Sequence, residues 1–231
     1  IDAPENTLVA IRLGIEQGSD GVEFDVYRTG DGQVVLMHDK DVLRTTNFKE
    51  VYTDGRSAKV TGLNLEQLRR LDAGSWHSAA YAGEKVPTLE EALELLRGRS
   101  TPVIEIKPDD IGRDVAMIVQ KLGIEKEVFV QSFSTRAIRE FSEVLPGVTT
   151  GYLTGNKVSD DSVARAREHG RIAAEAGASV VVCNYRLADP AYIAELHSKD
   201  FIVWVYTVDD EAEMRSLMER GIDGIITNVP A

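Results

Sequence analysis

The sequence predicts an α/β fold, a TIM (β/α)8 barrel, on three observations. From Pro87 onward helix-like and strand-like segments alternate at short intervals, and alternation with apolar strands means parallel pairing through crossover helices. A helix end, a glycine and a strand recur at 16–25, 175–184 and 219–228, the self-similarity expected of repeated βα units. Polar residues gather where the strands end, the face on which such barrels carry their chemistry.

The elements follow in order. An amphipathic helix is expected over 7–17, with Leu8, Ile11, Leu13 and Ile15 as its apolar positions, Asn6 as N-cap and Gly18 closing it. The strand 22–26 alternates Glu23 and Asp25 with Val22, Phe24 and Val26. Strand side chains repeat every two residues, so the two acids share a face. Gly30-Asp31-Gly32 signals a turn into a second apolar run, 34–37, which delivers His38 and Asp39.

Residues 40–87 form a small loop-rich insertion after the barrel's second strand, a position usually given to the rim of a site. It contains one short helix, 64–71, anchored by Leu65 and Leu68. Its aromatic residues Tyr52, Trp76, His77 and Tyr81 are expected to form their own cluster rather than a substrate wall. Thr88 then caps a helix over 89–96 that Gly98 ends. Strands are expected at 102–107, 128–132, 149–153, 179–183, 202–207 and 224–227. Between them lie helices at 114–122, 135–145, 162–176, 190–198 and 211–219. His169 and His197 fall on these helices and are expected at the surface. The main strands number seven, so the eighth, the barrel's first, is expected ahead of Ile1. All of 1–231 is read as a single barrel domain with the insertion as its appendage.

Composition narrows the function. The net charge is -12, from 26 basic and 38 acidic residues, which repels nucleic acid and anionic lipid. A mean hydropathy of -0.17 and the absence of a long apolar run argue against stable membrane association. Cys183 is the one cysteine, which leaves no intrachain disulfide and no thiolate zinc cluster. A reducing compartment fits this usage.

The strand ends supply the candidate chemistry. Glu23 and Asp25 close one strand; Glu105 and Lys107, again two apart, close the next; Gln131 and Ser132 follow. Three carboxylates from neighbouring strand ends make a hard, oxygen-only site suited to Mg²⁺, Mn²⁺ or Ca²⁺ rather than zinc. Lys107 beside them would add positive charge for a phosphate, and His38 could serve as an acid or base near neutral pH. Each has a plainer alternative. A lone Glu-x-Asp often marks a solvated face of an antiparallel sheet, Glu105 and Lys107 could be an interior ion pair, and His38 could make a structural hydrogen bond to Asp39. Two i, i+2 acidic pairs at successive strand ends favour the metal site.

Ordered motifs along nearly the whole chain resemble the glycerophosphodiester phosphodiesterase family. They are Pro4-Glu5-Asn6-Thr7, Glu23-Phe24-Asp25-Val26, Thr29-Gly30-Asp31-Gly32, His38-Asp39 and Arg44-Thr45-Thr46. Further on come Pro87-Thr88-Leu89-Glu90-Glu91, Ile104-Glu105-Ile106-Lys107, Gln131-Ser132-Phe133 and the Gly221–Thr227 stretch. The resemblance implies a TIM barrel that hydrolyses glycerophosphodiesters, such as glycerophosphocholine or glycerophosphoethanolamine, to glycerol 3-phosphate and an alcohol. It implies that Glu23, Asp25 and Glu105 bind a divalent ion, Mg²⁺ ahead of Ca²⁺ or Mn²⁺. Lys107, Gln131 and Tyr206 would then contact substrate, and His38 would be one of two catalytic histidines. The family's first His-Arg-Gly motif has no counterpart here and is expected with the absent first strand. The family's Trp-Thr-Val-Asn is Tyr206-Thr207-Val208-Asp209 in this chain, with Trp204 two residues earlier. A lysophospholipase D-type activity and a non-catalytic binding protein are the alternatives. The compact length resembles intracellular members, so a cytoplasmic location is expected.

Overall fold

The computed structural model describes residues 2–155 and 159–230. Its strands are β1 Gly21–Arg28, β2 Val34–Leu36, β3 Thr101–Ile106, β4 Phe129–Ser132, β5 Thr150–Leu153, β6 Val180–Asn184, β7 Ile202–Tyr206 and β8 Gly224–Ile225. They join in one sheet in the order β2-β1-β3-β4-β5-β6-β7-β8. The pairs from β1–β3 to β7–β8 are parallel, while β2 folds back antiparallel on β1, with Val26 opposite Leu36 and Arg28 opposite Val34. Residues of β1 and residues just after β8 line one cleft, so the sheet curls round as a TIM barrel does. Among the described residues no ladder joins β8 to β1.

The connecting helices are α1 Leu8–Glu16, α2 Phe48–Val51, α3 Leu65–Arg69, α4 Leu89–Leu96, α5 Gly112–Leu122, α6 Thr135–Val144, α7 Ser162–Ala176, α8 Pro190–His197 and α9 Glu211–Glu219. From residue 89 onward every expected element is found, its ends within two residues of the expected ones. Side-chain alternation on the strands separates an outer core from an inner one. Outward residues Phe24, Ile104 and Val130 pack with Leu89, Leu93, Val119 and Phe141 of the helices. On the far side Val181, Cys183, Val203 and Val205 pack with Tyr192, Ile193, Leu196 and Leu217. Inward residues Val103, Phe129, Leu153, Val180 and Val182 fill the barrel with Trp204.

The inner floor depends on two glycines. A Cβ at Gly151 would stand 2.5 Å from the Phe129 ring, and one at Gly224 would stand 2.6 Å from the Trp204 ring. Their absence lets Phe129 and Trp204 stack at 4.5 Å between centroids, which fills the barrel as a core rather than a pore.

The insertion has a core of its own, in which Val42, Phe48, Val60, Leu63, Leu68 and Leu71 pack against Val35 and Met37 of the hairpin. Val34 and Leu36 face the outer core, so the short β2 strand divides its two faces between two clusters. Trp76, His77 and Tyr81 meet edge to face as expected. Tyr52 instead packs on Phe48 and donates its hydroxyl to Gln67 O at 2.9 Å.

His197 sits half-exposed beside Asp223, Nε2 to Oδ2 2.8 Å, but His169 is not at the surface. It is 1% exposed, with Nδ1 2.7 Å from the Tyr192 hydroxyl. The reason lies in the face it shares: Ala166, His169, Gly170 and Ala173 follow helical spacing, and this small-residue stripe lets α7 settle closely against α8. Burial, then the nearby Arg165 charge, lowers the His169 pKa to about 4. A histidine kept neutral in the fold stabilises it above its unfolded pKa near 6.5, and that contribution is lost as pH falls through the folded value. Urea unfolding at pH 7.5 and 4.5 should show the native protein losing on the order of 2 kcal/mol more than His169→Asn. Equal losses would contradict a buried neutral histidine.

Candidate active site

The polar side chains meet because three neighbouring strands are in register. Asp25 pairs with Glu105 and Glu105 with Gln131 across β1, β3 and β4, and lateral neighbours in a parallel sheet point the same way. These three form a row on the inner face, one step above the apolar pair Val103 and Phe129. Glu23 lies one step earlier on β1, and Lys107 follows the end of β3, held by its N–H to Val26 O. Glu23, Asp25, His38, Glu105, Lys107, Gln131 and Tyr206 all line one cleft of about 470 Å³. Each sequence-predicted site residue is thus brought to the same place, at the C-terminal ends of the barrel strands.

Carboxylate oxygens of Glu23, Asp25 and Glu105 lie within 4.8 Å of one another. The nearby cation is Lys107, whose Nζ is 2.8 Å from Glu105 Oε1 and 3.3 Å from Asp25 Oδ1. One ammonium against three carboxylates leaves the cluster under-neutralised, and the acids respond. Burial and then the charges of Asp25 and Glu105 push Glu23 well above its usual range; burial and then Asp25 raise Glu105. Burial alone would lower Lys107, but Asp25 and Glu105 outweigh it and the net shift is upward. The buried Gln131 side chain steadies the Glu23 carboxylate, while its own Oε1 has no hydrogen-bond partner. Three clustered carboxylates and an unpartnered amide oxygen, all hard donors, fit a Mg²⁺-, Mn²⁺- or Ca²⁺-like ion.

Asn6 locks this cluster. The sequence suggests it as the N-cap of α1, but Thr7 does that work, its hydroxyl accepting from Ala10 N–H. Asn6 adopts φ +55°, a left-handed conformation that asparagine tolerates better than most residues. It thereby turns its amide onto β1: Nδ2 donates to Asp25 Oδ2 at 2.9 Å and Oδ1 accepts from Asp25 N–H at 2.9 Å. This pair of hydrogen bonds fixes both the backbone and the carboxylate of one acid.

At the rim, His38 Nδ1 lies 2.8 Å from Asp39 Oδ1. Arg44 reaches Asp39 Oδ2 through Nε at 2.7 Å and holds Glu5 by two bonds of 2.8 and 2.6 Å. Across the cleft Tyr206, half-buried, donates its hydroxyl to Thr154 O at 2.8 Å and meets Phe133 edge to face at 6.2 Å. Trp204 shares the inner face one step below Tyr206 and belongs to the barrel floor. Phe133 is an exposed aromatic side chain lining the cleft. Its place two residues beyond Gln131 is the signal that marks it. Asn6, Glu5 and Arg44 gave no signal beyond their motifs, since their partners are distant in sequence.

The class of this barrel, with an acidic cluster, a lysine and a histidine at its mouth, follows from comparison with known proteins: it is that of the phosphoric diester hydrolases. Residues 2–231 match the model of the glycerophosphoryl diester phosphodiesterase family, and the chain belongs to that family. It is 31% identical over 232 residues to a putative glycerophosphodiester phosphodiesterase, YhdW, of Bacillus subtilis, covering 99% of this chain and 90% of the relative. A glycerophosphodiester phosphodiesterase of Caldanaerobacter subterraneus is 29% identical over 99% of this chain and 90% of its own length. Among solved structures, a glycerophosphodiester phosphodiesterase from Agrobacterium tumefaciens superposes with a TM-score of 0.82 at 28% identity, over 99% of this chain and 92% of that one. An Oleispira antarctica phosphodiesterase, solved in complex with the product sn-glycerol-3-phosphate, gives 0.82 at 25% identity, over 99% and 89%.

The raised acids carry a consequence for stability. A carboxyl whose folded pKa exceeds its unfolded value opposes folding once pH rises through that range, so Glu23 destabilises the metal-free fold at neutral pH. In EDTA at pH 7.5, Glu23→Gln should raise the thermal midpoint by a few degrees, given roughly 2–4 °C per kcal/mol for a protein of this size. Added Mg²⁺ should raise the midpoint of the native protein and leave that of Glu23→Gln unchanged. A lower midpoint in EDTA would contradict this electrostatic account.

Proposed function

We propose that the chain hydrolyses glycerophosphodiesters, glycerophosphocholine or glycerophosphoethanolamine among them, to glycerol 3-phosphate and an alcohol in a divalent-ion-dependent reaction. The observation that carries the metal dependence is the approach of Glu23, Asp25 and Glu105 within 4.8 Å, with Lys107 beside them. These carboxylates would hold the ion, with Mg²⁺ preferred because an all-oxygen donor set leaves room for phosphate and water oxygens. When bound, such an ion neutralises phosphate charge as a Lewis acid. The product bound to the Oleispira phosphodiesterase supports glycerol 3-phosphate as the product here.

The chain's own groups supply the rest. Lys107, cationic and held by two acids, attracts a phosphate oxygen at the cleft mouth. Gln131 and Tyr206 face the same space and position the substrate. His38 Nδ1 is turned to Asp39, which leaves Nε2 to take a proton from the attacking hydroxyl or give one to the leaving alcohol. Phosphoryl transfer depends chiefly on positioning and charge stabilisation, and the side chains converge where both are needed.

The substrate is a small phosphodiester, not a nucleic acid, which a chain of charge -12 repels. No helix among the described residues is long and apolar enough to cross a membrane. A single cysteine, Cys183, fits a reducing compartment, which supports a cytoplasmic site of action. Residues 1–231 act as one barrel domain, with 40–87 as the rim beside the cleft.

Release of glycerol 3-phosphate from glycerophosphocholine should stop in EDTA and return with Mg²⁺. Glu105→Gln should lower kcat roughly hundredfold or more, the scale of losing one charge-stabilising group. Turnover indifferent to chelation and to Glu105→Gln would sink the metal assignment.

A further inference from the structure

We infer that Arg44, clamped from behind by Glu5, is a positioning residue that aligns Asp39 and through it fixes His38 as the tautomer with a free Nε2. The inference rests on the proposed role of His38 as the group that moves a proton. Among the described residues, the ion pairs of Arg44 go to Asp39 and Glu5 and none to the carboxylate cluster. Its Nε donates to Asp39 Oδ2 at 2.7 Å and one terminal nitrogen reaches Asp39 Oδ1 at 3.2 Å, while both terminal nitrogens hold Glu5 at 2.8 and 2.6 Å. A planar guanidinium gripped on two sides has little freedom to rotate. Asp39 Oδ1 is thereby presented to His38 Nδ1 at 2.8 Å. The Arg44 hydrogen bond also holds the Asp39 carboxyl down to about 2; a carboxylate near neutral pH can only accept, and Arg44 holds it in the place where it accepts from His38. Nδ1 must therefore carry a proton in the neutral ring, and the Nε2 lone pair is left free. His38 is half-exposed, so this chain of bonds is what orients its ring.

The arrangement ties both halves of the site to one turn. Asn6 holds Asp25 and the adjacent Glu5 holds Arg44, so residues 5 and 6 set the carboxylate cluster and the imidazole together. Arg44 also offsets the charge of Asp39, which would otherwise face His38 as a bare carboxylate.

The test is the tautomer of the His38 ring, read from its imidazole ¹⁵N shifts in the intact chain at a pH where the ring is neutral. The native protein should show Nδ1–H predominating. Arg44→Met should shift the ring toward Nε2–H and lower kcat about tenfold with KM nearly unchanged, a part of the roughly 10²–10⁴-fold that a positioned acid or base contributes. Arg44→Lys, which keeps the charge but cannot bridge Asp39 and Glu5 at once, should fall between. Arg44 is half-exposed, and thermal unfolding checks that each variant is folded; should Arg44→Met not fold, Arg44→Lys and Glu5→Gln decide by the same shifts. An unchanged tautomer in the folded Arg44 variants would overturn the inference, as would an equal loss in Arg44→Lys and Arg44→Met through KM alone. The ring shifts need no turnover, so absence of phosphodiesterase activity in the native chain would defeat the proposed reaction and leave this question still decided.

Discussion

Three carboxylates within 4.8 Å of one another, faced by one lysine, are the constraint around which this molecule is arranged. Like charges so close in a half-buried cleft raise one another's pKa and cost stability unless a cation joins them. Everything near them limits that cost without removing it. Lys107 bridges two of the acids, Asn6 gives Asp25 two hydrogen bonds, and Gln131 steadies Glu23. None of these groups carries the double positive charge that would balance the cluster, and a fold that retains such a deficit gives up stability where a ligand is to bind.

The barrel makes the cluster possible by dividing each strand between two tasks. Outward residues such as Phe24, Ile104 and Val130 supply the apolar burial that holds the helices. Inward residues change character along the strand, from Val103 and Phe129 to Glu105 and Gln131 within two residues. The Phe129–Trp204 floor, admitted by Gly151 and Gly224, fills the barrel interior beneath the acids. The hairpin then carries His38 over the rim, and Arg44 and Glu5 tie it back to the turn that holds Asp25. His38 and the carboxylate cluster share that one anchor.

Much of this was legible in the sequence because it depends on short periods. A two-residue repeat assigns Glu23 with Asp25 and Glu105 with Lys107 to common faces, and register then brings them together. The helix–strand rhythm after Pro87 was legible for the same reason, with Thr88 marking the start of α4. What was hidden depends on partners distant in sequence. Asn6 reads as a helix cap until β1 arrives beside it from 19 residues away. The Arg44–Glu5 clamp spans 39 residues, and no local pattern announces it. His169 looks like a surface residue because its helix is polar overall; only the packing of α7 on α8 selects its narrow alanine stripe as the buried face. Tyr206 lines the cleft, while Trp204 faces the same interior one layer lower, as part of the floor.

The central claim, that the acidic cluster is a divalent-ion site and not an interior ion-pair network, is tested most directly by titrating Mg²⁺ calorimetrically into chelator-stripped protein. Repeating the titration in buffers of different ionisation enthalpy at slightly acidic pH measures the protons exchanged. Binding at one site with release of protons is expected, because the ion must displace those that the raised Glu23 and Glu105 retain. Absence of binding by Mg²⁺ and Mn²⁺ alike, or binding that persists unchanged in Glu23→Gln and Glu105→Gln, would contradict it.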